Sequence, residues 1–499
     1  MIFLEQYKFQ LFFINNKTNI RVYIIIIYII MFNSHTNGTP ISDLPPQIDS
    51  KGKMNFSTIG LLLTIVLNPI LTFILLQYSC SYLSTYIPLL TYFSSPSWWL
   101  LFPLTILTLL PSFALYMYAS SLWFNPFNKG DPHTYWTFND ESLSKKYRGR
   151  CIPIETLHEL YFQGKMDPKK DLLTTLHHRH EYTCFTVGWR HIKFFICQWI
   201  PELLVHNKKQ DEDQVRDHYD RGDDFYNSFL DDIMVYTSGI LSNEDDTEDI
   251  TKIQERKLDL ICDKILLEKG DKLLDIGCGW GTLSVHAAKR GAKAIGITLS
   301  KNQSAWGMNR AREAKVEDNV EIKCIDYRDI PESKFNKITC VEMAEHVGVR
   351  LFGNFMDQVY RLLEDDGVFF LQIAGLRQSW QFEDLLWGLF MAKYVFPGAD
   401  ASCPLWWVVN KLEDHGFEVQ SVDNIGIHYS HTIKLWYNHW KKNENKMTDK
   451  YSQKWYRIWL WFLSWSSIIA SQGSATCYQI VSHKNLNNFN RKRFLTRKL

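Results

Sequence analysis

The sequence predicts an α/β protein in which a doubly wound sheet follows an N-terminal two-helix transmembrane hairpin. Short apolar strands alternate with helical patterns from Glu268 onward, which is typical of a doubly wound sheet with its ligand beyond the carboxyl ends of the strands. The stretch "LLDIGCGWG" at residues 273–281 places three alternating glycines after the first strand. From Met54 to Asn128 there is no Asp, Glu, Lys, Arg or His, although charged residues make up 22% of the chain.

The uncharged stretch divides into two predicted transmembrane helices, residues 59–78 and 98–118. Each is about 20 residues long, which is enough to cross a hydrocarbon core of about 30 Å. Lysines precede the hairpin and several lysines and arginines follow it, so the positive-inside rule places both of its ends in the cytosol. The alternative is a pair of buried helices in a soluble protein.

Composition argues against a nucleic-acid partner and against cysteine-based structural sites. The 55 basic residues balance the 54 acidic ones, so the chain has no overall field that would attract nucleic acid. Ten cysteines are scattered without a C-x-x-C pair, which indicates a reducing compartment and argues against a disulfide framework or a zinc ribbon. Cys278, in the glycine turn, is interpreted as a small buried residue and not as a nucleophile, because no histidine lies beside it in sequence.

The chain divides into five predicted segments. They are an N-terminal segment expected to be flexible (1–53), the hairpin (54–128), a linker and helical subdomain (129–213), the sheet domain (214–485) and a basic tail (486–499). His177, His178 and His180 cluster in the helical subdomain, either on a solvated helix face or as a metal site, and we expect no metal because no Cys or carboxylate lies at ligand spacing. The tail either contacts anionic lipid or is a solvated terminus.

Apolar runs and turn residues predict seven strands in the sheet domain. The predicted strands are 272–276, 292–298, 320–325, 337–341, 367–373, 417–425 and 475–483. A helix is predicted at 282–290, and Ser300 with Gln303 forms an S-x-x-Q capping box that opens another, reaching about Lys315.

Two aromatic runs lie late in the chain. Residues 380–396 form a stripe that fits either a lid over a lipid chain or a packed helix. Residues 455–469 are too short for a third membrane span and carry Arg457 near their start. We expect them to form a helix of the sheet domain that borders an acyl slot or the membrane face.

The glycine turn predicts a cationic nucleotide ligand. The dinucleotide fingerprint G-x-G-x-x-G, with an acid about 20 residues later, is not matched by the observed D-x-G-x-G-x-G. Gly277, Gly279 and Gly281 allow close approach of the backbone, and the Asp275 carboxylate accepts hydrogen bonds from an ammonium. A sulfonium with an amino-acid ammonium fits better than a pyrophosphate, so S-adenosylmethionine is the favoured ligand.

Polar side chains after the next two strands fit the rest of this ligand. Asn302 and Gln303 begin a helix after the second strand, where their amides reach ribose hydroxyls. Asp326 and Tyr327 follow the third strand and are placed to bind the adenine amino group and to stack near its ring. Glu345 follows the fourth strand, so a candidate site residue lies at the carboxyl end of each of the first four strands of the sheet domain.

These residues carry a resemblance to a known family. The run "LLDIGCGWGTLSVHAAKRGAKAIGITLSKNQ", with "DYRDI" and "EHVG", resembles the cyclopropane-fatty-acyl-phospholipid synthase and mycolic-acid methyltransferase family. The segments "HYDRGDDFYNSFLDDIMVYTSGIL" and "LWGLFMAKYVFPGADAS", together with the two predicted spans, resemble the sphingolipid 9-methyltransferases within it. The likeness covers residues 131–483 and the hairpin.

The resemblance implies a class I methyltransferase fold, with a Rossmann-like doubly wound sheet, and S-adenosyl-L-methionine as cofactor. It implies methylation of carbon 9 in the 4,8-diene sphingoid base of a membrane-held glucosylceramide, at the endoplasmic reticulum. By this likeness the cofactor contacts are Tyr236, Thr237, Leu274, Asp275, Ile276, Gly277, Cys278, Gly279, Trp280, Gly281, Thr282, Thr298, Leu299, Ser300, Lys301, Asn302, Gln303, Tyr327 and Arg328.

The same likeness selects the candidate catalytic residues. Cyclopropane synthases hold a bicarbonate base among a Glu, a His, a Tyr and the backbone at a Cys, and the matching positions here are Glu345, Gln372, Tyr429 and Ser238. An alkene has no proton to remove before methyl transfer, so the base acts last and its position decides between a cyclopropane and a methyl-branched alkene. Because His and Cys are replaced, we expect Gln372 to reposition or replace the anion so that the alkene forms.

Two other functions remain open from the residues. One is an acyl-phospholipid cyclopropane synthase. Gln372 and Ser238 argue against it, because they replace the His and the Cys of those synthases. The other is a non-catalytic lipid-binding or scaffold protein on the same fold. The presence of Asp275, the glycine turn and Glu345 argues against it.

Overall fold

The computed structural model describes residue 118 and residues 130–194, 197–198, 222–243, 248–378, 381–397 and 402–495. The predicted spans at 59–78 and 98–118 lie outside these residues, apart from Tyr118, as does the N-terminal segment 1–53. Within the described ranges, no helix is both long enough and apolar enough to cross a membrane.

Residues 130–194 combine short strands with short helices. The strands are β1 (Trp136–Phe138), β2 (Ile152–Pro153), β3 (Met166–Pro168) and β4 (Thr183–Cys184), and the helices are α1 (Glu141–Tyr147), α2 (Ile154–Phe162), α3 (Leu172–His177), α4 (Arg179–Tyr182) and α5 (Trp189–Phe194). β1 pairs antiparallel with β3, and β2 pairs parallel with β4. The helices agree with the predicted helical subdomain, whereas the four strands were not predicted, because they are too short for an alternating pattern to reveal them.

A disulfide joins Cys151 to Cys184 in this part of the chain. Pairing of β2 with β4 brings the two cysteines together although they lie 33 residues apart in sequence. The expectation of no disulfide was therefore wrong here, since it rested on sequence spacing and a long-range strand pair leaves no such signal.

Two helices lead into the main sheet, α6 (Asp223–Leu230) and α7 (Ile250–Lys264). The strands are β5 (Lys272–Ile276), β6 (Lys293–Thr298), β7 (Val320–Cys324), β8 (Phe335–Val341), β9 (Leu363–Leu376), β10 (Phe417–Asn424) and β11 (Ala475–Lys484). Their order across the sheet is β10-β11-β9-β8-β5-β6-β7. All seven predicted strands are present, with boundaries that differ from the predicted ones by a few residues at most.

The sheet is mixed. β5 to β9 are mutually parallel, whereas β11 runs antiparallel to both of its neighbours, β9 and β10. Simple strand–helix alternation does not hold after β10, because three helices separate β10 from β11 and the chain re-enters the sheet in the opposite direction.

The remaining helices are α8 (Thr282–Lys289), α9 (Lys301–Glu313), α10 (Phe352–Leu362), α11 (Phe382–Tyr394), α12 (Leu405–Asp414), α13 (Gly426–Lys442), α14 (Glu444–Tyr451) and α15 (Gln453–Ser471). Side chains alternate between the two faces of each strand. Leu274 therefore packs with α10 and α12 on one face, and Leu273 packs with α7 and α8 on the other. The helix predicted at 455–469 is α15, which is almost wholly buried and packs against α13.

Most of the aromatic stripe predicted at 380–396 lies in α11, a packed helix, and Trp380 lies outside the described residues. The Trp387 indole donates to Ser466 on α15 over 3.1 Å, and the rings of Phe390 and Trp465 lie 5.7 Å apart. These contacts attach α11 to α15 through buried aromatic groups.

A buried ion pair joins α4 to α11. Arg179 pairs with Glu383, and both side chains are at most 3% exposed. Glu383 also bonds His180 over 3.0 Å and accepts from the Trp465 indole over 3.1 Å. Burial opposes ionisation, but Arg179 and His180 hold the pKa of Glu383 well below its ordinary value. The solvated-face interpretation of the histidines was therefore wrong for His180.

Replacing Glu383 with glutamine is expected to lower the free energy of unfolding by about 3 kcal/mol, because it leaves the Arg179 charge buried and uncompensated. Urea unfolding of the solubilised full chain, followed by tryptophan fluorescence, measures the loss. Glu413→Gln, on the exposed side of α12, is the matched control. A loss below about 1 kcal/mol, the value typical of an exposed pair, would contradict the burial argument.

Candidate active site

A single cleft lies at the carboxyl ends of β5 to β8. Its walls come from the turns after these strands, from α7 and from residues 234–237. A doubly wound sheet places its ligand at this edge.

The glycine turn forms the floor of this cleft. Gly277, Gly279 and Gly281 all have positive φ angles, of 76°, 54° and 73°. A side chain at Gly277 would strike Met343 at 2.4 Å and one at Gly281 would strike Ile322 at 2.2 Å, whereas one at Gly279 would meet no atom within 4 Å. Two of these glycines are therefore required by packing, and Gly279 faces open space where a ligand can approach the backbone.

Asp275 is the penultimate residue of β5, just before the glycine turn. Its two carboxylate oxygens accept from Ser284 over 3.0 Å and from Thr339 over 2.9 Å. Burial raises the pKa of Asp275 to about 6, against the effect of these hydrogen bonds. A carboxylate has about four lone-pair sites, so Asp275 retains capacity for a donor from the cleft.

Lys257 of α7 lies on the same wall and was not predicted. Its side chain is 1% exposed and donates to Thr237 over 2.5 Å. Burial lowers the pKa of Lys257 to about 8, opposed by the charge of Glu342. The wall therefore combines one buried cation with the carboxylates of Asp275 and Glu342.

Most of the predicted cofactor contacts line this cleft. They are Tyr236, Thr237, Asp275, Ile276, Gly277, Cys278, Gly279, Trp280, Thr282, Thr298, Leu299, Gln303, Asp326, Tyr327 and Arg328. Five lie elsewhere: Leu274 and Gly281 are packed inside, Ser300 caps α9 by accepting from the backbone N–H of Gln303, and Lys301 and Asn302 are exposed.

The polar groups after β6 and β7 are held in place by near neighbours. Gln303 accepts from the Thr298 hydroxyl over 2.6 Å. The carboxylate of Asp326 receives Arg328 in a bidentate pair at 2.8 and 2.7 Å. These contacts orient the side chains on the side of the cleft where the sequence predicts the adenosine.

Three of the four predicted catalytic residues meet at a residue that was not predicted, Glu342, which directly follows β8. Its Oε1 atom accepts from the Ser238 backbone N–H over 3.2 Å and from the Gln372 amide over 2.6 Å. Its Oε2 atom accepts from the Tyr429 hydroxyl over 2.7 Å. Burial, followed by the charge of Glu342, raises the pKa of Tyr429 well above its ordinary value, so the phenol stays a donor.

Glu345, the fourth predicted residue, lies behind this group. It is 6% exposed and is absent from the cleft lining, and its Oε1 atom accepts from the Ala374 backbone N–H over 2.6 Å. Burial, followed by the charge of Glu342, raises the pKa of Glu345 to about 8. At neutral pH Glu345 is therefore a protonated, neutral acid.

One signal in the sequence points to Glu342. It is a carboxylate at the carboxyl end of a buried strand, as are the predicted residues Asp275, near the end of β5, and Asp326, just after β7. Lys257 gives no comparable signal, because a lysine on an amphipathic helix is ordinarily solvated.

The chain matches the family model described as mycolic acid cyclopropane synthetase over residues 206–480. It is 52% identical over 380 residues to a sphingolipid C9-methyltransferase of Komagataella phaffii, covering 74% of this chain and 78% of that protein. It is 49% identical over 370 residues to the sphingolipid C9-methyltransferase of Candida albicans, covering 72% of each chain.

Solved structures show the same fold. A mycolic acid cyclopropane synthase in complex with SAH and CTAB superposes with a TM-score of 0.52 at 26% identity, covering 55% of this chain and 98% of that one. A cyclopropane synthase from Mycobacterium tuberculosis gives the same TM-score at 25% identity, with the same coverage. The sheet with its cleft is thus the class I methyltransferase fold. By the family model and by identity over most of its length, the chain belongs to the mycolic acid cyclopropane synthetase family and, within it, to the sphingolipid C9-methyltransferases.

Proposed function

We propose that this protein transfers a methyl group from S-adenosyl-L-methionine to carbon 9 of the 4,8-diene sphingoid base of a glucosylceramide. The observation that carries the proposal is one cleft that joins a glycine turn suited to the cofactor to a carboxylate held by three donors. Kinship with the sphingolipid C9-methyltransferases supports the choice of the sphingoid base.

The residues of the cleft fit S-adenosylmethionine. The open space above Gly279 admits a ligand against the backbone, and the buried Asp275 carboxylate favours a cationic amino-acid group. Gln303 and Asp326 offer polar atoms to the adenosine on the neighbouring wall. When bound, this cofactor supplies an electrophilic methyl group on a cationic sulfur.

The residues of the cleft favour attack of an alkene on this methyl group. The cleft wall is largely apolar, with Val235, Ile297 and Met343 among its lining, and such a wall excludes water that would otherwise trap a carbocation. Methylation at carbon 9 leaves positive charge at carbon 8. The aromatic ring of Tyr236 and the carboxylate of Glu342 line the same cleft and stabilise that charge.

We further propose that residues 54–128 anchor the enzyme in the endoplasmic reticulum membrane with the catalytic domain in the cytosol. The uncharged stretch and its flanking basic residues support this orientation. A sphingolipid barely leaves the bilayer, so anchoring raises its effective concentration at the cleft.

The full chain in nanodiscs, supplied with methyl-labelled S-adenosylmethionine, tests the proposal. One set of discs contains glucosylceramide with a 4,8-diene base and a matched set contains phospholipid with unsaturated acyl chains. Label is expected in the glucosylceramide as a methyl branch on carbon 9. Label in the acyl chains would favour a cyclopropane synthase, and cofactor binding without label in either lipid would favour a non-catalytic lipid-binding protein.

A further inference from the structure

We propose that Glu342 is the catalytic base that removes the proton from carbon 9 after methyl transfer, in place of an external bicarbonate. This inference rests on the proposed function and assigns a residue to its last step. Glu342 lines the cleft that holds the cofactor turn.

Hydrogen-bond donors surround the carboxylate of Glu342 as they would surround a bound anion. A backbone N–H at Ser238, a side-chain amide at Gln372 and a phenol at Tyr429 all direct donors to its carboxylate. The Cys477 thiol lies 3.6 Å from Oε1. These are three of the four positions that the family resemblance assigns to bicarbonate, and here they surround a carboxylate that the protein itself supplies.

A second chain of hydrogen bonds fixes the orientation of the Gln372 amide. Lys264 donates to Gln479 Oε1 over 2.6 Å, so the Gln479 amide nitrogen is free to donate to Gln372 Oε1, over 3.0 Å. Gln372 must then present its own amide nitrogen to Glu342. The orientation follows from the network, and it places an N–H donor against the carboxylate of Glu342.

The Oε2 atom of Glu342 can accept a proton from the substrate. Oε1 faces Ser238, Gln372 and Cys477, whereas the one donor to Oε2 within the described residues is the Tyr429 hydroxyl. A carboxylate oxygen accepts about two hydrogen bonds. A lone pair on Oε2 therefore remains for the substrate.

The backbone at Glu342 is held in an unusual conformation. Its φ angle is 52°, in the left-handed region that few residues other than glycine adopt. The Glu342 N–H donates to the Gln372 carbonyl over 2.8 Å, which ties the residue to β9. Retention of a side chain at a strained position beside a ligand cleft is typical of a functional residue.

Methyl transfer uses the π electrons of the alkene to form the bond at carbon 9, and the electrons of the broken sulfur–methyl bond stay on sulfur. Glu342 Oε2 then takes the proton from carbon 9, and the C–H electron pair restores the double bond between carbons 8 and 9. The carboxylic acid returns its proton to solvent once the product leaves.

Glu342→Gly is the sharpest test, because glycine relieves the backbone strain and leaves a gap of carboxylate size. The turnover rate is expected to fall by about 10²- to 10⁴-fold, the usual contribution of a general base. Formate or bicarbonate added to this variant is expected to restore at least a tenth of the wild-type rate, whereas the wild-type enzyme should not respond to bicarbonate. The dissociation constant for S-adenosylmethionine, measured by calorimetry, should stay within about threefold of the wild-type value, a difference below 1 kcal/mol.

Lys315→Gly is the matched control, since Lys315 also has a positive φ angle, of 58°, and is exposed away from the cleft. A Glu342→Gly rate within tenfold of wild type, or a loss that no small carboxylate restores, would overturn the assignment. So would a wild-type enzyme that needs bicarbonate. A wild-type enzyme that methylates no sphingolipid would instead overturn the proposed function, so the two failures are distinguishable.

Discussion

Replacing Gly279 with asparagine is expected to weaken the binding of S-adenosylmethionine by at least about 100-fold, or about 2.7 kcal/mol. Asparagine tolerates the φ angle of 54° at this position. A side chain at Gly279 meets no protein atom within 4 Å, so the substitution leaves the fold intact and projects into the space we assign to the cofactor. Calorimetric titration of the full chain measures the loss.

Gly164→Asn is the matched control for this substitution. Gly164 also has a positive φ angle, of 71°, and open space around its missing side chain, but it is not part of the cleft. Both variants should melt within a few degrees of the wild-type protein. Equal cofactor affinity in the two variants would show that the cofactor does not lie over the glycine turn.

Replacing Glu345 with glutamine is expected to make the protein markedly more resistant to alkaline pH. The pKa of Glu345 is about 8 in the folded protein against an ordinary value of 4.5. The folded state therefore binds more protons than the unfolded state between these values, and the wild-type free energy of unfolding falls as pH rises through this range. The fall attributable to Glu345 reaches about 5 kcal/mol by pH 9.

Glutamine keeps the acceptor for the Ala374 N–H and carries no titratable proton, so the variant should lack this part of the pH dependence. Urea unfolding between pH 5 and pH 9 measures the difference between the two proteins. Glu313→Gln, on the exposed face of α9, should follow the wild-type curve. Parallel wild-type and Glu345→Gln curves would mean that Glu345 is ionised in the folded protein.

The sheet was predictable because its strands are buried runs bounded by turn residues. Leu273 and Leu274 sit on opposite faces, and helices cover both, so the strand is continuously apolar and stands out in sequence. The cofactor turn was predictable for a related reason. Gly277, Gly279 and Gly281 are forced by the positive φ angles that the turn requires.

Long-range contacts escaped prediction because they leave no local pattern. The insertion of β11 between β9 and β10 is a pairing between segments far apart in sequence. Glu342 gains its partners from Ser238, Gln372 and Tyr429, which come from three other parts of the chain. The pair of Arg179 with Glu383 is likewise visible only after folding.

We expect this protein to methylate an alkene carbon and a base then to remove the proton from that same carbon. The most direct measurement uses S-adenosylmethionine with a fully deuterated methyl group and glucosylceramide with a 4,8-diene base, followed by mass spectrometry of the product. Removal of the carbon 9 proton predicts that every methyl deuteron is retained in a branched alkene. A product that has lost one methyl deuteron would mean that the proton comes from the new methyl group, as in cyclopropane formation, and would rule out removal of the carbon 9 proton.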